Sequence, residues 1–254
     1  MTARFTGRTV LVTGGGTGIG RGIALAFARE GARVVVAGRR EEPLKETVVL
    51  IEAAGGEAAA ITADVTRSED VRALVERTVA RYGGLDVAVN NVGMLAAGGV
   101  KVADIADEDW QATLDTNLTG VWLSMKHEIE HMRANGGGAI VNVSSVLGAH
   151  NRLPGLGAYA TSKAAVTALT RSAALDHIGD GIRINAVSPG PVETPMSSRP
   201  GESAAQKAER LREQVPAGRA ATPQEIAASV LHLASDEAGY AVGTDLVLDG
   251  GITA

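Results

Sequence analysis

The chain of 254 residues contains no cysteine. That excludes a disulfide framework, a Cys-ligated zinc site and thiol nucleophilic catalysis, and it suits a reducing cytosol. Long apolar runs are missing too: no stretch approaches the roughly 18 apolar residues that suggest a membrane span. The first seven residues hold neither a long apolar core nor a small-residue cleavage site, so no secretory leader is expected and the cytoplasm is the expected location. The N-x-S/T sequons at Asn117 and Asn142 then carry no meaning as glycosylation sites. Nor is there an excess of positive charge. The formal net charge is −5, which makes the chain a poor candidate for binding nucleic acid or anionic membrane. Internal repeats, low-complexity tracts and linkers are absent as well. A chain of this length can bury roughly three quarters of its unfolded surface, and residues 1–254 are expected to form one domain.

What the sequence does contain is alternation. Short β-branched, nearly all-apolar runs occur at Thr9–Thr13, Arg33–Ala37, Ala58–Ala63, Leu85–Val89, Ala139–Val143, Ile182–Val187 and Asp245–Leu248. Such runs suit strands buried on both faces. Between them lie segments of helical periodicity: Gly18–Glu30, Glu41–Ala54, Ser68–Tyr82, Asp107–Ala134, Tyr159–Ile178 and Pro223–Ser235. Strand–helix–strand repetition predicts an α/β fold, a doubly wound parallel sheet of about seven strands with helices on both faces. The long irregular stretch after Pro189 leads into a charged, helical-looking segment, Glu202–Gln214. Residues 191–214 are therefore expected to form a lid over a substrate.

The first strand runs into Thr13-Gly14-Gly15-Gly16-Thr17-Gly18-Ile19-Gly20. A strand, a glycine-rich turn and a helix in that order make a dinucleotide site: the glycines remove Cβ atoms where backbone approaches a pyrophosphate, and the helix N-terminus faces the anion. Further motifs follow, each at the C-terminal end of a strand: Asp64-Val65, Asn90-Asn91-Val92-Gly93, Pro189-Gly190 with Val192 and Thr194, and Asp249-Gly250-Gly251. Those ends are where open α/β sheets bind ligands. Tyr159 and Lys163 lie four apart in an apolar helical segment, on one face and one turn apart. Ser145 follows the fifth strand, and Asn117 lies in the long helix.

In its TGxxxGIG turn, its NNxG, its Tyr-xxx-Lys pair and the order of these motifs, nearly the whole chain resembles the short-chain dehydrogenase/reductase family. The resemblance implies a Rossmann-like fold and an NAD(P)-dependent oxidoreductase that moves a hydride between the cofactor and a small alcohol or ketone. It implies Asn117, Ser145, Tyr159 and Lys163 as the catalytic tetrad. Tyr159 would be the general acid–base, and an ammonium nearby would lower a phenol pKa that is about 10 when free. Lys163 would also hold the nicotinamide ribose, Ser145 the substrate oxygen, and Asn117 a water that links Lys163 to solvent. Ser144 and Ser145 are adjacent, so only one can face the site, and the family pattern selects Ser145. The cofactor residues implied are Gly14, Gly16, Thr17, Gly18, Ile19, Gly20, Arg39, Asp64, Val65, Asn91, Gly93, Tyr159, Lys163, Pro189, Gly190, Val192 and Thr194. By the same resemblance the chain is expected to be a homo-oligomer, a tetramer, through its two long apolar helices.

Cofactor choice turns on the residue that ends the second strand, where an acid selects NAD. Here the sequence reads Ala37-Gly38-Arg39-Arg40. A guanidinium suits a 2′-phosphate, so NADP(H) is expected to be preferred, with NAD(H) still used. Thr17, where many NADP enzymes carry a second base, and Glu41 and Glu42 weigh the other way. Two rival functions are a 3-oxoacyl-[acyl-carrier-protein] reductase and a dinucleotide-binding regulator without catalysis. The first is disfavoured by Asn135-Gly136-Gly137 and Gly179-Asp180-Gly181, where carrier-binding relatives present basic residues. The second has no need of Ser145, Tyr159 and Lys163. The substrate-side segments, Met94–Val100, Leu147–Gly157 and Pro191–Gln214, supply an apolar lining in Leu95, Leu147, Leu153 and Leu156. His127-Glu128-Ile129-Glu130-His131 matches the HExxH zinc motif, but with no third ligand in view it reads as a solvated helix end, and no metal is expected.

Overall fold

The computed structural model describes residues 3–198 and 201–254. Seven strands form one parallel sheet in the order β3-β2-β1-β4-β5-β6-β7. They are β1 (Thr9–Thr13), β2 (Arg33–Gly38), β3 (Glu57–Thr62), β4 (Val87–Asn90), β5 (Gly138–Val143), β6 (Ile182–Pro189) and β7 (Asp245–Leu248). The helices between them are α1 (Gly18–Arg29), α2 (Glu41–Ala53), α3 (Ser68–Tyr82), α4 (Asp107–Leu114), α5 (Gly120–Ala134), the short α6 (Val146–Ala149), α7 (Gly157–His177), α8 (Ala204–Gln214) and α9 (Pro223–Ala234).

Successive strand side chains point to opposite faces, and here both faces are covered. Val10, Val12, Val34 and Val36 pack under Ile23 and Phe27 of α1 and Ile226 and Val230 of α9. Leu11, Val35, Ala88 and Ile140 pack under Leu74, Met125, Ile129 and Val166 of α3, α5 and α7. Each large apolar side chain so buried is worth roughly 1.5–3 kcal/mol. The strand order reverses between β1 and β4, where Thr13 sits beside Asn90. Open sheets of this kind bind ligands at that switch point, outside the carboxyl ends of the strands.

The expected continuous helix over Asp107–Ala134 is instead two helices joined by a π-helical turn, Asp115–Thr119, in which the Gly120 N–H bonds the carbonyl of Asp115. The wider turn leaves Asn117 fully buried and lets Gly120 sit on Val65, where a Cβ would lie 2.8 Å from Val65 Cγ2. β4 is shifted to Val87–Asn90, in register with Val10–Thr13. In the expected lid region, a 3₁₀ turn at Pro195–Ser197 precedes α8, which a Ser203–Gln206 capping box starts. Arg210 braces this region with bonds to the Glu202 carboxylate at 2.6 Å and the Ser197 carbonyl at 3.1 Å. Arg199 and Pro200, part of the same expected lid, lie outside the described residues.

Candidate active site

Each expected cofactor segment leaves the sheet at its C-terminal edge. In the glycine turn, a Cβ on Gly14 would lie 2.7 Å from Asn91 Nδ2, on Gly16 3.0 Å from Pro43 Cβ, and on Gly20 2.2 Å from the Gly14 carbonyl. Gly14 and Gly18 also have positive φ, a conformation that glycine adopts without strain. The turn is thus a bare-backbone cradle. It opens at the N-terminus of α1, which has neither a side-chain cap nor an acidic residue in its first turn. Uncapped N–H groups on an acid-free helix end fit a pyrophosphate. Thr17 is exposed, while Gly18 and Ile19 are half-buried. Thr194 faces this turn from the loop after β6, its Cγ2 at 3.1 Å from where a Gly18 Cβ would stand.

Asn91 does not reach outward. Its Nδ2 donates to the carbonyls of Thr13 (3.1 Å) and Gly14 (3.3 Å), and its backbone N–H donates to Thr13 Oγ1 (3.1 Å). It braces the glycine turn across the switch point, with the Thr13 hydroxyl as its anchor. Arg21 adds a second brace, donating to the Gly16 carbonyl at 2.5 Å and to Glu46 at 2.8 Å. Sequence reasoning placed Thr13 at the start of the glycine turn without giving it a role and passed over Arg21, since a threonine ending a strand reads as strand propensity and an arginine in a helix as surface. Asp64 uses one carboxylate oxygen to accept from the Thr66 N–H and hydroxyl, and Val65 is buried with Val71 and Leu123. Pro189 ends β6, Gly190 packs on Asp249, and Val192 is buried. Arg39 is exposed just past the end of β2.

The four expected catalytic residues come together. Ser144 and Ser145 diverge as adjacent residues must: Ser144 Oγ donates to the Lys163 carbonyl at 2.9 Å. Ser145 Oγ accepts from the Leu147 N–H at 3.1 Å and lies beside the Tyr159 hydroxyl. Lys163 Nζ lies 5.9 Å from the Tyr159 ring centroid and donates to the Val143 carbonyl at 2.8 Å. Burial lowers the Lys163 ammonium to about 8. Burial also pushes the Tyr159 hydroxyl upward, opposed by its bond to Ser145. Gly93 closes the group, since a Cβ there would stand 3.4 Å from Lys163 Nζ.

Asn117 is tied into the surrounding structure in a way its motif does not announce. Its Oδ1 accepts from the Met94 N–H (2.8 Å), and its Nδ2 donates to the Met94 carbonyl (2.9 Å) and to Ser162 Oγ (3.1 Å). Both amide hydrogens and one lone pair are taken, leaving a single lone pair for a water. The side chain clamps the loop after β4 onto α7. The HExxH segment also departs from its expected surface role. His127 is buried on Ser68, its Nε2 3.0 Å from Oγ, and Glu128 is 1% exposed and accepts from Asn90 at 3.0 Å. The helix turns these two inward because α3 and β4 cover that side. Among the described residues no cluster of three or more His, Asp or Glu side chains is placed to hold a metal.

Comparison with known proteins identifies the family. The family model described as Enoyl-(Acyl carrier protein) reductase matches residues 14–253. A crystal structure of a short-chain type dehydrogenase/reductase from Mycobacterium marinum is 34% identical, with a TM-score of 0.89 over 99% of this chain and 97% of that one. The chain belongs to the short-chain dehydrogenase/reductase family. Among named short-chain relatives, the 3beta-hydroxysteroid dehydrogenase 1 of Eggerthella lenta is 41% identical, covering 97% of this chain and 94% of its own. The cyclohexanol dehydrogenase of an Acinetobacter species is 38% identical, covering 100% of this chain and 98% of its own. This short-chain dehydrogenase/reductase is thus an oxidoreductase of a family that uses a nicotinamide dinucleotide.

Proposed function

We propose that the protein interconverts a secondary alcohol and its ketone, with Tyr159 as the general acid–base. The observation that carries this is the convergence of Ser145, Tyr159 and Lys163 beside the glycine cradle. When bound, the nicotinamide supplies or takes the hydride at the carbinol carbon. Tyr159 supplies the proton to the ketone oxygen in reduction and removes it from the alcohol in oxidation. Burial holds the hydroxyl protonated at neutrality, the form reduction needs. Ser145 steadies the oxygen as its charge changes. Lys163 anchors the ribose and biases Tyr159 toward phenolate in oxidation, and Asn117 positions the Met94 backbone beside them. The cradle from Gly14 to Gly20 takes the pyrophosphate, Asp64 and Val65 the adenine side, and Gly93, Pro189, Gly190, Val192 and Thr194 the nicotinamide side. Tyr159→Phe should remove nearly all turnover while the cofactor still binds, as measured by steady-state kinetics beside calorimetric titration of the cofactor. If the variant keeps more than a tenth of wild-type kcat, a loss of only ~1.4 kcal/mol, another group is the acid.

The substrate is read as a free alicyclic alcohol or ketone. Leu95 and Leu153 are exposed at the substrate side, and the named relatives include dehydrogenases of hydroxysteroids and of cyclohexanol. The description of the family model points to acyl-carrier substrates, but the segments before β5 and β6 present glycine and Asp180 rather than basic residues. Residues 191–214 act as the lid. The protein works as a homo-tetramer.

NADP(H) is the preferred cofactor and NAD(H) the lesser one. Lys45 answers Glu41 at 3.0 Å and Glu42 at 3.5 Å, while Arg39 has no ion pair among the described residues. Gly38 leaves room beside it, since a Cβ there would meet only Leu44, at 3.8 Å. Arg39→Ala should shift the ratio of kcat/KM for NADP(H) over NAD(H) toward NAD(H). A wild type that prefers NADH, or an unchanged ratio, refutes Arg39 as the phosphate ligand.

A further inference from the structure

Asp245, at the start of β7, has a side chain only 1% exposed, and among the described residues its one ionisable partner is His150. Removing a carboxylate from water costs several kcal/mol unless donors meet its lone pairs. Three do. His150 Nε2 lies 2.7 Å and Thr167 Oγ1 3.1 Å from Oδ2, and Ser188 Oγ lies 2.6 Å from Oδ1. Close polar contacts lead on toward the candidate site. Thr167 Oγ1 is 3.1 Å from Ser144 Oγ, which donates to the Lys163 carbonyl, and Lys163 Nζ holds the Val143 carbonyl.

Ser145 is therefore bracketed. Val143 and Ser144, before it, are tied to Lys163. His150, after it, is tied to Asp245. The segment between is under constraint: Gly148 has φ +142° and ψ −97°, and a Cβ there would stand 2.7 Å from the Ala164 nitrogen of α7. Two backbone bonds of 2.8 Å, Asn151 N–H to the Val146 carbonyl and Gly148 N–H to the Asn151 carbonyl, close it into a ring. Among the described side chains of residues 146–154, His150 makes the one hydrogen bond that leaves the segment.

We propose that His150 and Asp245 are a positioning pair for the reaction, fixing the turn after Ser145 so that its hydroxyl stays on that of Tyr159. The proposal rests on the catalytic reading of Ser145 and Tyr159. Neither member of the pair touches the reacting atoms. A carboxylate partner makes Nε2 the donating nitrogen of the imidazole. The pair also couples the end of the chain to the site, since Asp245 belongs to β7 and Ser188 to β6.

His150→Leu removes the donor, and His150→Gln keeps an N–H within reach. The assay uses the full chain with NADP(H) and cyclohexanol or cyclohexanone. An interaction that matters in the transition state lowers kcat rather than binding. His150→Leu should therefore lower kcat at least about tenfold, with KM for the alcohol and Kd for the cofactor held within about threefold. His150→Gln should recover at least about a third of the wild-type kcat. Amide hydrogen exchange reads the same pair without turnover: residues 146–155 should exchange faster in His150→Leu and at the wild-type rate in His150→Gln. A kcat for His150→Leu within about twofold of wild type, a loss that glutamine does not rescue, or unchanged exchange overturns the pair. So does a fall in kcat matched by an equal loss of cofactor affinity and thermal stability. Absence of turnover in the wild type across alcohols and ketones overturns the Tyr159 reading instead, and the exchange data then decide the pair alone.

Discussion

Glu128 is the residue for which burial and charge conflict most plainly. It is 1% exposed and sits in α5 against the end of β4. Its partner is Asn90 Nδ2 at 3.0 Å, which also reaches Asn142 Oδ1; Asn142 in turn donates to Thr170 Oγ1 at 2.9 Å. No cation pairs with it among the described residues, and burial raises its pKa from 4.5 to about 7. Between those two values the folded protein holds a proton that the unfolded chain releases. Stability from this group is therefore full below pH 4.5, falls as pH rises through the window, and levels off above about 7. The shift corresponds to about 3 kcal/mol. Glu128→Gln keeps the shape and removes the proton. In thermal melts at pH 8 the variant should stand several degrees above wild type, and the gap should close toward pH 5. A gap of the same size at both pH values, or a variant that melts below wild type at pH 8, would rule out a destabilising carboxylate.

At the scale of elements, legibility followed the range of the cause. Strands came through because both faces are buried, so each reads as an apolar run, and the sheet order follows from right-handed crossovers. The glycine turn was legible because its requirement is local: a missing Cβ at Gly14, Gly16 and Gly20 is a property of the residue itself. The Tyr159–Lys163 face is local too, one helical turn. What did not come through depends on packing. The π-helical turn at Asp115–Thr119 has no periodic signature five residues long, and it answers to the docking of Gly120 on Val65. The bracing by Asn91 and Asn117 was not legible. Apart from Ser162 Oγ on Asn117, their side-chain partners are backbone carbonyls and an N–H of Thr13, Gly14 and Met94, and no side-chain pattern encodes those. His150 and Asp245, 95 positions apart, meet only because β7 joins the sheet beside β6. The inward turn of His127 and Glu128 had a readable signal in hindsight: both fall on the α5 face that also carries Val121, Ser124 and Met132, all buried.

At the scale of the whole molecule, the helices packed over β4, β5 and β6 leave a partly apolar face uncovered. Along α5, Trp122, Lys126 and Arg133 border a shallow groove, and Leu169, Ala173 and His177 border it from α7. Trp122 is 47% exposed, with Lys126 Nζ 5.6 Å from its ring centroid. Leu175 and Ile178, toward the end of α7, are 77% and 42% exposed. Large apolar side chains left exposed on a monomer in this way mark an interaction surface. A two-fold axis through it would set α5 and α7 of one copy against the same helices of another, the self-complementary contact that cyclic symmetry needs. A second, independent two-fold would then make the proposed tetramer. Trp122 is the anchor to test, because a large aromatic at the centre of such a contact carries much of its energy. Light scattering at micromolar concentration should give four chain masses for the wild type and two for Trp122→Glu, with the far-UV spectrum unchanged. A wild type of one chain mass excludes the assembly, and a Trp122→Glu protein that stays tetrameric moves the contact to another face.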